Sequence, residues 1–282
     1  MDISTVLNKA AQKLQQAGVE EPRREAASLL VYVLQKDTAF LIAHPEYDLA
    51  ANQKLLFESC VRRRAKREPF QYIVGRQEFY GLEFDVTPDV LIPRPETEIL
   101  VEEAINILSL LENPRFCEVG VGSGCISVAI LANVRSATAV SIDISYAASQ
   151  VARANATKHK VGGSLTLHRG DVFGNIKGPF DLIVSNPPYI PSGDIKSLQA
   201  EVRDFEPSVA LDGGEDGLYI IKSIIRESPE FLMPQGFLLL EIGFDQAAKV
   251  RELFGHRMWE TPEFLPDLQG IPRILKVIKK TH

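Results

Sequence analysis

Residues 185–190 read Ser-Asn-Pro-Pro-Tyr-Ile and follow an apolar run, residues 180–184, that is typical of a buried strand. The two prolines end this strand, because proline has no N–H to give to a ladder and fixes its own φ. A side-chain amide and an aromatic ring therefore stand on a rigid mount at the C-terminal end of the strand. An isolated Pro-Pro pair often does no more than end a strand, so the functional interpretation depends on the rest of the chain.

A glycine-rich loop is the second candidate site. It covers residues 118–124, Glu-Val-Gly-Val-Gly-Ser-Gly, at the end of another strand-like run. Asp143 closes the next strand about 20 residues later, where an acidic residue can bind both hydroxyls of a ribose. Asp171 ends the strand after that. Either aspartate alone fits a helix cap equally well, but the ordered set at successive strand ends favours a nucleoside cofactor.

Two kinds of nucleoside cofactor fit such a loop. A dinucleotide site requires G-x-G-x-x-G, and the position of the third glycine is occupied here by Cys125. Glu118 can hold a positively charged amino group, from which a pyrophosphate would gain nothing. The loop resembles that of S-adenosyl-L-methionine-dependent methyltransferases. This resemblance implies a set of cofactor-binding residues: Glu118, Gly120, Val121, Gly122, Ser123, Gly124, Asp143, Asp171, Val172, Phe173 and Asn186, with either Val172 or Phe173 against the adenine.

The Asn-Pro-Pro-Tyr element is similar to that of methyltransferases that act on planar nitrogens. An amide nitrogen is a poor nucleophile, because its lone pair is delocalised into the carbonyl. The Asn186 side-chain oxygen and the Pro187 carbonyl are suitable acceptors for both of its N–H groups, and the prolines preset their orientation. Tyr189 can cover the flat group. The methyl then moves by in-line displacement from a sulfonium, in a scheme that requires neither a metal nor a general base.

The chain from about residue 5 to residue 280 resembles the protein-(glutamine-N5) methyltransferase family that modifies peptide chain release factors. Further motifs carry the resemblance: residues 70–75 (FQYIVG), 93–98 (PRPETE), 206–211 (EPSVAL), 212–217 (DGGEDG) and 241–243 (EIG). It implies that the substrate is the glutamine of a Gly-Gly-Gln tripeptide on a release factor. This chain departs from the family at two positions of the loop: Glu118 stands where the family often has Asp, and Val121 stands where it often has a polar residue.

The resemblance also implies which residues act on the substrate. The catalytic set is Asn186, Pro187 and Tyr189, and the substrate-binding set is Asn186, Pro187, Pro188, Tyr189, Arg94 and Glu96. Arg94 and Glu96 equally fit an ion pair at a helix start, which contributes little when it is exposed. Glu241, at a strand end, equally fits a structural carboxylate.

Other functions share some of these features. A sister enzyme that methylates a glutamine of a ribosomal protein has the same Asn-Pro-Pro-Tyr element. A DNA or RNA base methyltransferase shares its logic but usually needs a basic groove and a target-recognition region, and no large insert is present here. A non-catalytic, cofactor-binding assembly factor is a third alternative, which the intact loop and the intact Asn-Pro-Pro-Tyr element disfavour.

Two types of element position these residues. Helical periodicity over residues 1–76, with apolar residues such as Val6, Ala10 and Leu14 in the first helix, predicts a small helical bundle for substrate recognition. A hairpin linker is expected over residues 77–93, with its turn near Gly81. From residue 94 to residue 282, strand-like and helical runs alternate, which predicts a seven-stranded, mostly parallel, Rossmann-like methyltransferase domain. Ligands of such sheets bind at the C-terminal ends of the strands.

A basic run, Arg62-Arg63-Arg64-Ala65-Lys66-Arg67, ends one of the N-terminal helices. It fits either a solvated helix face or a contact for an acidic partner or RNA. The net charge of −6 disfavours a protein whose main task is to grip a phosphate backbone. We therefore expect no direct nucleic-acid substrate, and the family resemblance implies a release factor as partner.

Composition narrows the class further. With 45% hydrophobic and 24% charged residues, the chain reads as an ordered globular protein. The three cysteines form no CxxC pair, and no two of the five histidines lie at a spacing typical of a metal site, so we expect no metal. The sequence shows no signal-peptide pattern and no apolar run of about 18 residues, so we expect no membrane span and a cytoplasmic location.

Overall fold

The structure is a computed structural model, and it describes residues 1–255 and 257–281. The chain divides into two compact units. The first contains residues 1–76 together with residues 199–205, and the second contains residues 77–198 and the chain from residue 206 onward. The sequence did not predict that residues 199–205 pack with the N-terminal unit, because they lie within the alternating pattern of the methyltransferase domain.

The first unit is the expected helical bundle. Its helices are α1 (Ile3–Gln16), α2 (Pro22–Leu34), α3 (Thr38–Ala43), α4 (Ala51–Arg64) and α5 (Phe70–Val74), and the inserted segment contributes α9 (Ala200–Phe205). The first helix starts because the Asp2 carboxylate accepts a hydrogen bond from the Thr5 N–H at 2.7 Å. It buries Ile3, Val6, Ala10 and Leu14, one position per turn, against the rest of the bundle. Periodicity missed α3 and α5, since helices of six and five residues carry too few turns to show a stripe.

The basic run at the end of α4 is largely engaged in ion pairs inside this unit. Arg64 is buried, and its guanidinium contacts Glu25 and Glu201, each at 3.0 Å. Arg67 forms a two-pronged pair with Glu201, at 2.6 and 2.7 Å, and Arg63 pairs with Glu68. Arg64 and Arg67 hold the segment 199–205 against the bundle through Glu201. The solvated helix face applies only to Arg62 and Lys66, which are exposed.

The second unit is built on a seven-stranded sheet, which confirms the predicted fold class. Its strands are β3 (Arg115–Val119), β4 (Thr138–Asp143), β5 (Leu165–Arg169), β6 (Phe180–Ser185), β7 (Leu232–Glu241), β8 (Glu263–Pro266) and β9 (Pro272–Ile278), in the order β5-β4-β3-β6-β7-β9-β8. The first five in that order run parallel, and the pairs β7–β9 and β8–β9 are antiparallel. Sequence patterning missed β8, a four-residue edge strand that ends at a proline.

Helices cover both faces of this sheet. They are α6 (Thr97–Leu108), α7 (Cys125–Asn133), α8 (Tyr146–Lys158), α10 (Tyr219–Glu227) and α11 (Ala247–Arg251), and a two-stranded hairpin, β1 (Arg76–Phe79) with β2 (Leu82–Asp85), precedes them. Alternate residues of one strand enter separate cores. Leu182 and Val184 pack in the core that includes α6 and α7, whereas Ile183 packs in the core that includes α10.

The chain order of the strands places a crevice beside β3. From β3 the chain moves to β4 and β5 on one side, and then returns to β6 on the other side. The connections after β3 and β6 therefore diverge at the carboxyl edge of the sheet. In open parallel sheets this switch point is where ligands bind. The glycine-rich loop follows β3 and the Asn-Pro-Pro-Tyr element follows β6, so both candidate sites flank the same crevice.

Candidate active site

A cavity of about 540 Å³ lies at this edge of the sheet. Its size falls in the range of small-molecule sites. The cavity brings together most of the residues that the sequence singled out: Arg94, Glu118, Gly120, Val121, Gly122, Ser123, Asp143, Asp171, Val172, Asn186 and Pro188. The predicted residues that do not line it are Glu96, Gly124, Phe173, Pro187 and Tyr189.

Three glycines of the glycine-rich loop have positive φ values. Gly120, Gly122 and Gly124 have φ values of +77°, +51° and +81°, which residues with a Cβ rarely adopt. The Gly122 N–H donates to Asp143 Oδ2 at 2.9 Å, and the Ser145 N–H donates to Asp143 Oδ1 at 2.8 Å. Each carboxylate oxygen keeps a further lone pair for a ligand hydroxyl. Burial raises the pKa of Asp143, against the lowering effect of the two backbone hydrogen bonds.

Glu118 is the buried acid of the site. Its Oε2 accepts hydrogen bonds from the Ser127 N–H at 3.1 Å and from the Ser127 hydroxyl, which also contacts Ser141. Its Oε1 is buried without a partner among the described residues, and the residue lines the cavity. Burial raises the pKa of this carboxyl to about 8. A buried carboxylate oxygen without a partner is costly unless a ligand satisfies it, so this atom marks a position suited to a cation or a hydrogen-bond donor.

The structure separates the two candidates for contact with an adenine ring. Val172 lines the cavity, and it adopts φ +45°, which is uncommon for a β-branched residue. Phe173 is buried in the core, where its ring stacks on Phe231 at 4.5 Å between centroids. Of the two neighbours, Val172 is therefore the one placed to touch a ligand.

The side chain of Asn186 is fixed by a hydrogen-bonded chain. Its Nδ2 donates to Thr97 Oγ1 at 3.0 Å, and the Thr97 hydroxyl donates to Glu241 Oε2 at 2.6 Å. Among the described residues, no donor reaches Asn186 Oδ1 or the Pro187 carbonyl. These are the two acceptors that the sequence assigned to a planar nitrogen. The arrangement therefore leaves both able to accept hydrogen bonds from a bound group.

The phenol of Tyr189 belongs to the same chain of contacts. Its hydroxyl donates to Glu241 Oε1 at 3.2 Å, and burial raises its pKa. Burial also raises the pKa of Glu241 to about 7, against hydrogen bonds from Thr97 and Tyr189. Glu241 thus receives a donor on each of its oxygens. Its carboxylate joins α6, the end of β7 and the segment after β6 in one network.

The backbone beyond Tyr189 is clamped as well. Gln246 is buried, and its Nε2 donates to the carbonyls of Tyr189 and Gly217 at 2.9 and 3.2 Å. Gly217 has φ +71°, and a Cβ placed on it would lie 2.4 Å from the Tyr189 carbonyl oxygen. The close approach explains why this position is a glycine. Gly217, the last residue of the 212–217 motif, therefore packs against the Asn-Pro-Pro-Tyr element and helps to fix its backbone.

Arg94 and Glu96 do not form the ion pair that their spacing suggested. Arg94 contacts Glu206 at 2.5 Å, and the other oxygen of Glu206 accepts the Ile92 N–H at 3.2 Å. Glu206 is buried, and Arg94 lines the cavity. Glu96 is exposed at the start of α6 and lies outside the cavity lining. Of the two alternatives for these residues, the ion pair is wrong, because for Arg94 a partner distant in the sequence is closer in space.

Sequence reasoning did not foresee the roles of Thr97 and Gln246. Both are polar residues buried beside the Asn-Pro-Pro-Tyr element. Thr97 does belong to the 93–98 motif, so a signal existed, but its partners lie 89 and 144 residues away. Gln246 belongs to no motif that we identified. Only the folded chain reveals what either residue contacts.

The described residues offer neither a metal site nor a membrane-spanning helix. Residues 1–255 and 257–281 contain no group of three or more His, Cys, Asp or Glu side chains that is arranged to hold a metal ion. His256 and His282, two of the five histidines considered above, lie outside these residues. No helix in the same part of the chain is both long and apolar enough to cross a membrane.

Comparison with known families gives two matches. The PrmC N-terminal domain matches residues 5–75, and the methyltransferase small domain matches residues 97–202. The first match falls in the helical unit. The second covers the strands and loops that supply Glu118, Asp143 and Asn186.

Individual relatives match over nearly the full chain. The release factor glutamine methyltransferase of Koribacter versatilis is 38% identical over 283 residues, which cover 100% of both chains. The protein of the same description from Geobacter sulfurreducens is 42% identical, over 97% of this chain and 95% of that one. The solved structure of a methyltransferase from Pyrococcus furiosus has a TM-score of 0.54 at 16% identity and covers 83% of this chain and 100% of that one. This last likeness shows the fold alone.

Proposed function

The chain belongs to the release factor glutamine methyltransferase family, and we propose that it transfers a methyl group from S-adenosyl-L-methionine to the side-chain amide nitrogen of a glutamine, the one in the Gly-Gly-Gln motif of a peptide chain release factor. The observation that carries this proposal is the pair of acceptors at Asn186 Oδ1 and the Pro187 carbonyl. Asn186 lines a cavity that fits a nucleoside cofactor, and the Pro187 carbonyl is on the next residue of the chain.

The residues of the cavity fit S-adenosyl-L-methionine. This cofactor, when bound, would supply a methyl group on a positively charged sulfur: the carbon–sulfur bond breaks with its electron pair left on sulfur, S-adenosylhomocysteine leaves, and the amide nitrogen that gains the methyl gives one of its protons to solvent. Glu118 Oε1, buried without a partner among the described residues, suits the positively charged amino group. The free lone pairs of Asp143 suit the ribose hydroxyls, and Val172 offers an apolar contact for the base. Asp171 at the mouth of the cavity is exposed and adds a polar edge.

The Asn-Pro-Pro-Tyr element holds the substrate amide. Asn186 Oδ1 and the Pro187 carbonyl each accept one N–H of the glutamine side chain, which orients the nitrogen lone pair towards the cofactor pocket. As the nitrogen loses its double-bond character its protons become more acidic, so these hydrogen bonds strengthen in the transition state. Tyr189 borders the flat group, and its orientation is fixed by Glu241. Arg94, held by Glu206 at the cavity wall, lies within the region that a substrate peptide would enter.

The experiment is a methyl transfer assay with a defined substrate residue. The purified protein is incubated with labelled S-adenosyl-L-methionine and a release factor that carries Gly-Gly-Gln, beside the same factor with Gln→Ala, and the modified residue is mapped by mass spectrometry. We expect one methyl on that glutamine and none on the Ala form. Equal transfer to both factors would refute the proposed substrate. Asn186→Ala should abolish transfer while calorimetry still detects cofactor binding.

Transfer to neither factor, with cofactor binding intact, would also refute the release factor as substrate. The search would then move to ribosomal proteins and after them to nucleic acid. A cytoplasmic location stays a prediction.

A further inference from the structure

The hydrogen bonds that link Asn186, Thr97 and Glu241 have a fixed order of donors and acceptors when Glu241 is ionised. An ionised carboxylate can only accept hydrogen bonds, whereas a hydroxyl has a single proton to donate. With Glu241 ionised, the proton of Thr97 must point to Glu241 Oε2 at 2.6 Å. The Thr97 oxygen can then only accept, so the group that faces it at 3.0 Å must be the NH₂ of Asn186. The carbonyl oxygen of the same amide is thereby turned away from Thr97.

The opposite orientation of the amide would harm the proposed reaction. An Asn186 with its NH₂ turned towards the substrate would present a donor to another donor. The glutamine nitrogen would lose one of its two acceptors at the moment when its N–H groups become more polar. The amide alone has no strong preference between the two orientations, since its two ends have nearly the same shape. Something outside the residue must therefore select one.

From this geometry we propose that Thr97 and Glu241 are positioning residues, which select the amide orientation of Asn186 that presents its oxygen to the substrate nitrogen. The inference deepens the proposed function and rests on it. Neither residue needs to touch the reacting atoms. Glu241 also fixes the Tyr189 hydroxyl through its second oxygen, so a single carboxylate sets two side chains of the Asn-Pro-Pro-Tyr element.

The selection depends on the charge of Glu241. A protonated Glu241 can donate to the Thr97 oxygen, which frees the threonine proton to point at Asn186 and accommodates the flipped amide. Burial raises the pKa of Glu241 to about 7, and the charges around it act in both directions. Glu96 raises this pKa, Arg273 lowers it, and hydrogen bonds from Thr97 and Tyr189 lower it as well. The orientation should therefore be lost as the pH falls through about 7.

Three variants test the chain of contacts. Thr97→Val keeps the shape but removes both hydrogen bonds, Thr97→Ser keeps the hydroxyl, and Glu241→Gln keeps the shape while allowing donation to Thr97. We expect Thr97→Val and Glu241→Gln to lower kcat by roughly 10- to 100-fold. This is less than the roughly 100- to 1000-fold loss that follows removal of a transition-state hydrogen-bonding group, because Asn186 is still present and adopts the productive orientation part of the time. The KM for the release factor and the Kd for S-adenosylhomocysteine should change less than about threefold. Thr97→Ser should retain most of the activity.

The double variant and the pH dependence of kcat distinguish a positioning role from a general loss of folded structure. Because both residues act through Asn186, the double variant should lose little more than either single variant. The kcat of the wild type should fall on the acid side of pH 7, whereas the low kcat of Glu241→Gln should not follow that limb. Additive losses, an unchanged acid limb in Glu241→Gln, or equal defects in Thr97→Ser and Thr97→Val would overturn the proposal.

A readout without turnover keeps the inference distinct from the proposed function. The side-chain NH₂ resonances of Asn186, assigned by their absence in Asn186→Ala, report the orientation directly in the ¹⁵N-labelled protein. We expect one proton to be protected from exchange in the wild type above pH 7, and protection to be lost in Thr97→Val. Resonances that are the same in both proteins refute the positioning role, even if the enzyme methylates its substrate. A wild type with this protection but no transfer to any release factor refutes the proposed function alone.

Discussion

Replacing Glu118 by glutamine tests whether this carboxyl loses its proton when the cofactor binds. The wild-type carboxyl is only 1% exposed, Ser127 satisfies one of its oxygens, and the other has no partner among the described residues. Burial raises its pKa to about 8. A bound cation beside the carboxyl would favour its ionised form and lower that pKa again. Glutamine has the same shape but cannot ionise, so it isolates the contribution of the charge.

The size of the effect follows from the pKa. At pH 7 a group with a pKa of about 8 is protonated in about nine of ten molecules. Binding of S-adenosyl-L-methionine to the wild type should therefore release about 0.9 proton more than binding to Glu118→Gln. A charge-assisted hydrogen bond contributes about 1.5–3 kcal/mol, and deprotonation at pH 7 takes back about 1.4 kcal/mol. The variant should thus bind up to about tenfold more weakly at pH 7 and roughly 10- to 150-fold more weakly above pH 8.

Isothermal titration calorimetry measures both quantities. The observed heat in several buffers of different ionisation enthalpy gives the number of protons released, and the isotherms give the Kd. The amino group of the cofactor also titrates near neutral pH, but it does so with both proteins, so the difference between them reports Glu118. Equal proton release by wild type and Glu118→Gln, with equal Kd values at pH 8.5, would refute the assignment of Glu118 to the cationic end of the cofactor.

Three other predictions concern stability and the clamp. Because the folded protein holds the Glu118 proton between about pH 4.5 and pH 8, whereas the unfolded chain releases it near pH 4.5, the free energy of unfolding should fall as pH rises through this window. Urea unfolding of Glu118→Gln without cofactor should show a shallower fall, and parallel curves for the two proteins would contradict the buried proton. Gly217→Ala should destabilise by about 2–5 kcal/mol, from backbone strain plus the contact with the Tyr189 carbonyl, and should lower kcat. The control is Gly270→Ala: Gly270 also has a positive φ, but no atom would contact its added Cβ. It should lose only about 1–2 kcal/mol of stability and no activity. Equal behaviour of the two variants in urea unfolding and turnover would exclude a role of the Gly217–Tyr189 contact in holding the Asn-Pro-Pro-Tyr element. Arg64→Ala should destabilise the first unit by about 1.5–3 kcal/mol, since Glu25 loses its partner whereas Glu201 keeps its pair with Arg67. The exposed neighbour Arg62→Ala should stay within about 0.5 kcal/mol in the same unfolding measurement. A similarly small change in both variants would show that the pairs of Arg64 add nothing to stability.

The fold was predictable because its signals are local. Runs of apolar residues bounded by glycines and prolines mark the parallel strands, and stripes every three or four residues mark the long helices. The run over residues 180–184 corresponds to β6, and the strands expected before the glycine-rich loop and up to Asp143 correspond to β3 and β4. Elements of four to six residues, such as α3, α5 and β8, escaped because they are too short for a period to show.

Much of the candidate site was also predictable, for a topological reason. When parallel strands share one sheet, their carboxyl ends meet at one edge, so polar residues that end successive strands must converge. Glu118, Asp143, Asp171 and Asn186 follow this rule, and the structure places all four at one cavity. The rule gives proximity, however, and not the identity of hydrogen-bond partners.

Sequence alone thus determined the fold class, the family and the set of strand-end residues, since each of these is encoded in short stretches of chain. Only the tertiary structure decided which polar groups meet. Thr97 lies between Asn186 and Glu241, Arg94 pairs with Glu206 and not with Glu96, and Glu201 packs with the first unit. These contacts join residues about 90 to 145 positions apart. No local pattern records them, because a buried polar side chain takes whichever complementary group the packed chain brings within about 3 Å.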